Sequence, residues 1–233
     1  PRDQAGELVE GLEQLGAQVI EAPTVRIVAP DDYGPLDTAC AEASRYDWIV
    51  FTSVNSVDAF FQRLHAGPLD VRALSGVRLC AIGAGTADRI ARHGLKVDLI
   101  PTEYRAEAVV EALRATGDLS GKRVLLPRAD VVREVLAEEL RRCGAEVTEV
   151  TAYRTVAIDV DESGPDVYRM LLDKAVDVVT FTSASTVRAF VSRHGGEATA
   201  DLLKSVAIAS IGPVTAEAAQ QCGIHTSILP SEY

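Results

Sequence analysis

The chain has 233 residues, of which 47% are hydrophobic and 24% charged, and its formal net charge is −11. This composition is typical of a globular protein and not of a disordered one. The acidic balance, without any basic patch, argues against a nucleic-acid partner. No apolar run approaches the roughly 18 residues that a membrane-spanning helix requires, so the sequence excludes a membrane partner as well.

Short apolar runs alternate with amphipathic segments, a pattern typical of a parallel sheet covered by helices. The predicted strands are residues 18–22, 48–52, 78–82, 96–100, 123–126, 146–150, 178–182, 206–211 and 225–229. Four glycines each follow a helical segment and precede a strand: Gly16, Gly94, Gly144 and Gly223. Such a glycine can adopt the left-handed conformation that ends a helix, so each predicts a tight helix-to-strand turn.

The sequence contains an internal repeat of two copies. Three pairs of segments share their pattern: residues 1–28 with 129–156, 47–61 with 177–191, and 82–104 with 211–233. Their offsets are 128, 130 and 129 residues. A nearly constant offset indicates one structural plan used twice, so we predict two similar halves with a pseudo-twofold relation. The copies also predict a longer natural polypeptide, with a strand before residue 1 and a helix after residue 233.

Two kinds of strand-to-helix turn recur as candidate sites. Ser53 follows the predicted strand 48–52, and Ser183 holds the same place in the second copy. Each hydroxyl can cap the next helix or, together with helix amides, bind an anion. The second kind of turn contains Thr86 in one copy and Thr215 in the other. Ligands of open α/β sheets collect at such carboxyl ends of strands.

A glycine-rich turn at residues 83–85 also has some likeness to a dinucleotide-binding turn, with Glu103 as the ribose partner. Asp88 replaces the third glycine, however, and Pro213 and Val214 occupy the corresponding turn of the second copy. Close approach of a pyrophosphate is therefore not retained, and nicotinamide or flavin binding is disfavoured.

Positions that differ between the copies are candidates for chemistry, because a fold needs both copies whereas catalysis often needs one asymmetric site. Tyr153 stands opposite Val25. A phenol can donate a hydrogen bond or a proton, and it can also simply fill a strand position. Arg128, just past the predicted strand 123–126, is a candidate carboxylate ligand, with a surface ion pair as the alternative.

Cysteines and histidines give no metal or redox motif. No C-x-x-C pair occurs, and the four histidines show no metal-ligand spacing. We therefore expect no metal, and reduced thiols in a cytoplasmic protein. The cysteines are Cys40, Cys80, Cys143 and Cys222.

In their order, these segments resemble the uroporphyrinogen-III synthase family. The resemblance rests on DWIVFTSVNSVDAF, the IGAGTA and IGPVTA turns, GKRVLLPRA and GAEVTEVTAYRT, and it spans essentially the whole chain. It implies a lyase of tetrapyrrole and heme biosynthesis that cyclises linear hydroxymethylbilane to uroporphyrinogen III, inverting the terminal pyrrole ring. It also implies that no metal or organic cofactor is used.

The resemblance further implies a fold of two flavodoxin-like, parallel-sheet α/β domains joined by a two-stranded connector, with the substrate in the cleft. One domain is discontinuous and combines residues 1–23 with 157–233. The other is continuous over residues 29–151. Residues 24–28 and 152–156 supply the connector strands.

The same resemblance assigns roles to residues. Tyr153 matches a family tyrosine proposed to assist departure of the hydroxyl, and Thr86 and Thr215 match threonines that face the cleft. Ser53, Ser183 and Arg128, taken from the strand ends, complete the expected substrate-binding set. Backbone amides at helix starts would bind the substrate carboxylates. Family members also occur fused to a methyltransferase, which leaves an upstream fusion open for this chain.

Two other functions stay open at this stage. Paired α/β lobes also form non-catalytic small-molecule binding proteins, and similar lobes occur in nucleotide-dependent transferases.

Overall fold

The computed structural model describes residues 6–103, 105–131, 135–158 and 165–231, with the backbone alone at residues 196 and 197. The outermost residues of the predicted discontinuous domain, 1–5 and 232–233, lie outside this range. The strands are β1 (Val25–Val28), β2 (Trp48–Phe51), β3 (Arg78–Ala81), β4 (Arg123–Ala129), β5 (Glu146–Ala157), β6 (Val178–Phe181) and β7 (Ala207–Ser210).

Helices occupy most of the intervals between these strands. They are α1 (Gly6–Gln14), α2 (Gly34–Ala41), α3 (Val54–Ala66), α4 (Ala84–Ala91), α5 (Ala106–Ala115), α6 (Val135–Arg142), α7 (Val167–Leu172), α8 (Ala184–His194), α9 (Gly196–Leu202) and α10 (Pro213–Gln221). In the described residues no helix combines the length and the apolar character needed to cross a membrane.

Packing divides the chain into two compact units. Unit 1 comprises Pro1–Arg26 and Val156–Tyr233, and unit 2 comprises Ile27–Thr155. The two dividing points fall inside β1 and inside β5. Unit 2 is therefore one continuous stretch of chain, whereas unit 1 is assembled from two separate stretches.

Unit 2 contains most of a five-stranded sheet with the order β1-β5-β4-β2-β3. β2 pairs in parallel with both β3 and β4, and β4 pairs in parallel with β5. Successive side chains of a strand point to opposite faces, and β2 follows this rule: Ile49 and Phe51 join one core cluster, Trp48 and Val50 the other. The first cluster includes side chains of α2, α3 and α4, and the second includes those of α5 and α6. The sheet is thus buried on both faces, as its apolar strands predict.

Unit 1 contains the parallel pair β6 and β7, which packs around Phe181, Val187, Phe190 and Ile208. The backbone bonds of this pair repeat those of β2 and β3. Arg78 N–H donates to Asp47 O, and Ala207 N–H donates to Asp177 O, each at 3.0 Å. The described structure therefore reproduces the sequence repeat at the level of single hydrogen bonds.

The hydrogen bond made by the N–H of the next residue, in β3 and in β7, also recurs in both copies. Leu79 N–H donates to the carboxylate of Asp98 at 2.7 Å, and Ile208 N–H donates to the hydroxyl of Ser227 at 3.3 Å. One polar side chain thus replaces another in the same supporting role. Each copy then adds a single parallel bridge, Cys80 with Leu99 and Ala209 with Ile228.

Several predicted strand boundaries are wrong. Residues 18–22 form no strand, and the predicted strands 96–100 and 225–229 shorten to those single bridges. Apolar composition measures a tendency to be buried, whereas a strand also needs a partner with free backbone groups. Two strands are longer than predicted: β4 continues to Ala129, and β5 continues to Ala157.

The predicted helix-ending glycines are confirmed. Gly16, Gly94, Gly144 and Gly223 have φ values of 89°, 79°, 85° and 76°. This left-handed region is accessible to glycine without a steric penalty, so the repeated glycines follow directly from the repeated turns.

Candidate active site

In unit 2 the strand order of the sheet indicates a candidate ligand site at the carboxyl ends of β2 and β4. From β2 the chain crosses to β3 on one side, and from β4 it crosses to β5 on the other. The strand order therefore reverses between β2 and β4. Ligands of open α/β sheets bind outside the carboxyl ends of the strands at such a reversal. In unit 2 these ends lead into Ser53, after β2, and Arg128 to Asp130, at the end of β4.

A hydroxyl pair lies at this position. Ser53 is the N-cap of α3, and its Oγ accepts the N–H of Ser56 at 3.1 Å. The same Oγ lies 3.0 Å from the phenol oxygen of Tyr153. The prediction that Ser53 caps a helix is therefore confirmed, and the capping hydroxyl also touches the predicted catalytic residue.

A β-bulge brings Tyr153 to Ser53. In the register of β4 and β5, Arg128 lies opposite Thr151 and Ala129 lies opposite Tyr153, so Ala152 is the extra residue. Ala152 belongs to the core on the α3 side of the sheet, and in a regular strand its neighbour would face away from that core. Tyr153 nevertheless packs against the same core. Bulges redirect side chains in this way and are frequent next to active sites.

The environment of Tyr153 keeps its phenol neutral. Burial raises the pKa of Tyr153 above its usual value, hydrogen bonds from the side chains of Ser53 and Asn55 oppose this, and the charge of Asp130 raises the pKa further. A phenol with a raised pKa remains protonated through the physiological range. Tyr153 is therefore available as a hydrogen-bond donor and not as a base.

Thr86 lies in the first turn of α4, after the carboxyl end of β3. The residue is only 6% exposed, and its hydroxyl makes no hydrogen bond within the described part of the chain, where the fully buried polar side-chain atoms without a partner are Trp48 Nε1 and Arg193 Nε and not the Thr86 oxygen. A threonine hydroxyl that is not fully buried can donate a hydrogen bond to, and accept one from, a ligand or water. Thr86 is thus a mostly buried residue whose hydroxyl has unused hydrogen-bonding capacity beside the strand ends.

Arg128 is placed differently from the prediction. It lies inside β4, and its guanidinium forms an ion pair with Glu149, whose other carboxylate oxygen lies 2.7 Å from Arg141. Only 15% of the Arg128 side chain is exposed. The ion pair considered as its alternative role is therefore present, although a guanidinium has five N–H donors and this pairing does not use all of them.

Unit 1 carries the second-copy residues. Ser183 caps α8 in a capping box with Thr186, and its Oγ lies 2.9 Å from that of Ser185. Thr215, in the first turn of α10, is 4% exposed and makes no hydrogen bond through its side chain to any described residue. Val25 stands where the other copy has Tyr153. The second copy therefore repeats the serine cap and the threonine but has no phenol.

A metal site is not formed by the residues described: nowhere among them do three or more His, Cys, Asp or Glu side chains converge suitably. The functional groups of the candidate site are hydroxyls, amides and the Arg128–Glu149 ion pair.

Comparison with known families decides between the remaining interpretations. The family model described as "Uroporphyrinogen-III synthase HemD" matches residues 6–233. The chain belongs to this synthase family. A putative uroporphyrinogen-III synthase from Methanothermobacter thermautotrophicus is 34% identical over 100% of this chain and 91% of its own length. A uroporphyrinogen-III synthase from Synechococcus elongatus is also 34% identical, over 99% of this chain and 87% of its own length.

Solved structures of the synthase family have the same fold. A crystal structure of a mutant uroporphyrinogen III synthase from Thermus thermophilus aligns with a TM-score of 0.71 at 21% identity, covering 99% of this chain and 90% of that one. The uroporphyrinogen-III synthetase of Helicobacter pylori aligns with a TM-score of 0.59 at 20% identity, covering 90% and 84%. The mixed α/β fold with a mainly parallel sheet is therefore shared with the synthases.

Sequence reasoning about this synthase-family chain did not identify Asp130 and Asn55. Asn55 is in the first turn of α3, and Asp130 directly follows β4. Both influence the Tyr153 phenol. Asp130 could have been found as a polar residue directly after a buried strand, at the point where the strand order reverses. The role of Asp130, however, depends on the bulge, which sequence periodicity does not reveal.

Proposed function

We propose that this chain cyclises linear hydroxymethylbilane to uroporphyrinogen III, with inversion of the terminal pyrrole ring, and does so without a metal or organic cofactor. The observation that carries the proposal is the Ser53–Tyr153 hydroxyl pair, 3.0 Å apart, in a chain of this family. The relatives are named as enzymes, which favours this function over a non-catalytic two-lobed binding protein.

In the proposed reaction the C–O bond of the substrate hydroxymethyl group breaks, and the departing oxygen leaves as water after gaining a proton. The resulting electrophilic carbon bonds to the substituted position of the terminal pyrrole, a spiro rearrangement follows, and the ring closes with loss of a proton. Tyr153 would assist the first step. If Ser53 Oγ donates its hydrogen to the phenol oxygen while accepting from Ser56 N–H, the phenol hydrogen is free to bind the departing hydroxyl.

The remaining steps depend more on the conformation in which the protein holds the substrate than on acid–base catalysis by side chains. Correct positioning of reacting ends can lower a barrier by several kcal/mol, roughly 7–11 in the best cases. We assign substrate binding to Ser53, Thr86 and Arg128 of unit 2 and to Ser183 and Thr215 of unit 1. The two threonines support this assignment because neither hydroxyl bonds to a described residue, and the pairing of Arg128 with Glu149 limits its contribution to its remaining donors.

The domain assignment also belongs to this proposal: residues 1–23 with 157–233, residues 29–151, and connector strands at 24–28 and 152–156. The division of packing within β1 and β5 supports it. The matching hydrogen bonds of the two copies support the similarity of the two domains.

The cellular setting is proposed on narrower grounds. The cysteines are unpaired in the structure, as is usual in the reducing cytoplasm. The porphyrin biosynthesis protein HemD of Ruminiclostridium josui is 30% identical over 95% of this chain but only 42% of its own length. That relative has sequence beyond the matched region; for this chain an upstream methyltransferase fusion stays open, and no nucleic-acid partner is expected.

The test is incubation of the protein with hydroxymethylbilane, followed by chromatographic separation of the type I and type III isomers. The type III isomer supports the proposed function. Formation of only the spontaneous type I isomer, at the rate seen with heat-denatured protein, refutes it.

A further inference from the structure

Asp130 is tied to the strand that carries Tyr153. Its backbone N–H donates to Tyr153 O at 3.1 Å, and its Oδ1 accepts the N–H of Thr155 at 3.3 Å. Its Oδ2 lies 3.5 Å from Nε of Arg154. Three consecutive residues of β5, beginning immediately after the bulge, are therefore held by one aspartate.

These contacts lie where the ladder between β4 and β5 is irregular. The register shifts between Arg128 and Ala129, and Asp130 is the next residue. A bulge disrupts the local ladder and leaves the extra residue unpaired. The bonds from Asp130 fix the strand at the point where regular pairing no longer does, and that point decides which way Tyr153 faces.

The charge of Asp130 acts on the same phenol. Arg154 is shared between Asp130 and Asp31, so this group of three side chains has a net negative charge. The groups that influence the phenol are Ser53 and Asn55, at the start of α3, and Asp130, at the end of β4. Among them Asp130 is the charged group, and it raises the pKa of Tyr153.

We propose that Asp130 is a positioning residue for Tyr153, acting through the backbone of residues 153–155 and through its negative charge. The inference rests on the proposed function for its catalytic consequence, since the phenol must be both correctly oriented and protonated to bind a departing hydroxyl. Asp130 itself does not contact the reacting atoms in the proposed reaction.

Two substitutions separate the two contributions. Asp130→Asn keeps an oxygen that can accept from Thr155 N–H but removes the charge, whereas Asp130→Ala removes both. The matched control is Asp118→Asn, because Asp118 accepts the N–H of Ser120 at 2.9 Å on an exposed turn of the same unit. The control is expected to behave as the wild-type protein in every measurement.

Kinetics with hydroxymethylbilane form the first measurement. We expect Asp130→Ala to lower kcat at least tenfold with KM within threefold, and Asp130→Asn to keep kcat within threefold. Rescue by the asparagine indicates positioning through the hydrogen bond. Equal kcat values for the Asp130→Ala and wild-type proteins would overturn the inference.

Titration of the phenol forms the second measurement and needs no substrate. The chain has six tyrosines, and labelling them with ¹³C at Cζ allows the Tyr153 signal to be assigned by its loss in Tyr153→Phe. Asp130→Asn must lower the phenol pKa relative to wild type, and an unchanged value overturns the inference even if Asp130→Ala does not fold. If the wild-type protein forms no type III isomer, the proposed function fails while this titration still decides the role of Asp130.

Discussion

Replacing Tyr153 by phenylalanine is the sharpest test of the site. The substitution removes the hydroxyl that lies 3.0 Å from Ser53 Oγ and leaves the ring in its core. Proton donation to a leaving group typically contributes 10²–10⁴-fold. Since a phenol with a raised pKa donates a hydrogen bond more readily than a full proton, we expect the lower end, a fall in kcat of about 10²-fold, or about 2.7 kcal/mol.

The expected loss of stability is smaller. Each hydrogen bond between neutral groups contributes about 1 kcal/mol net, so losing those with Ser53 and Asn55 costs about 2 kcal/mol. Ser53 Oγ keeps its bond from Ser56 N–H. For a chain of this size, each 1 kcal/mol lowers the melting temperature by roughly 2–4 °C, so a fall of about 4–8 °C is expected. Catalysis should therefore suffer more than folding.

The assay combines isomer analysis with thermal unfolding and uses Tyr46→Phe as its control. Tyr46 packs against the same core, and its hydroxyl bonds to no described residue. The control should retain full turnover and stability. If Tyr153→Phe produces the type III isomer at the wild-type rate, the phenol has no part in hydroxyl departure, and the catalytic assignment is wrong.

Two further predictions concern the fold. Gly144→Ala should destabilise the protein by about 2 kcal/mol in urea unfolding, and Gly16→Ala by about 1 kcal/mol. Both glycines have positive φ, but of the two only Gly144 would bring its new Cβ against a backbone atom, Ser120 Cα at 3.2 Å. Equal losses of stability would contradict this steric argument. Burial raises the pKa of Cys40 and Cys80 to about 12, so a thiol reagent at pH 8 should modify neither cysteine until denaturant is added. Mass spectrometry of peptides measures the labelling. Rapid labelling of either cysteine in the native protein would show that these cores open readily.

Features encoded locally were predictable from the sequence. The capping serines Ser53 and Ser183 and the left-handed glycines occupy the places that the repeat indicates. Each depends on a few neighbouring residues, and each is seen twice in the chain. Duplication therefore acted as an internal check on local signals.

Features that depend on distant partners were not predictable. Residues 96–100 and 225–229 have strand-like composition, but each contributes only one bridge. The bulge at Ala152 reverses the facing of Tyr153 relative to a regular strand, although nothing in the local composition marks it. The contacts of Asp130 follow from that bulge, so the sequence predicted the tyrosine but not the residue that holds it.

The placement of unit 2 within the chain has a consequence for biosynthesis. It begins in β1 and ends in β5, which are neighbours in the sheet. A ribosome therefore releases all of unit 2 before the second segment of unit 1 appears, and domains generally fold as they emerge. Once unit 2 has folded, its ends lie side by side, and the entropy cost of closing the long loop across residues 27–155 has already been met. The N-terminal segment of unit 1 is synthesised first, and the C-terminal segment that completes this unit begins at the neighbouring end of unit 2.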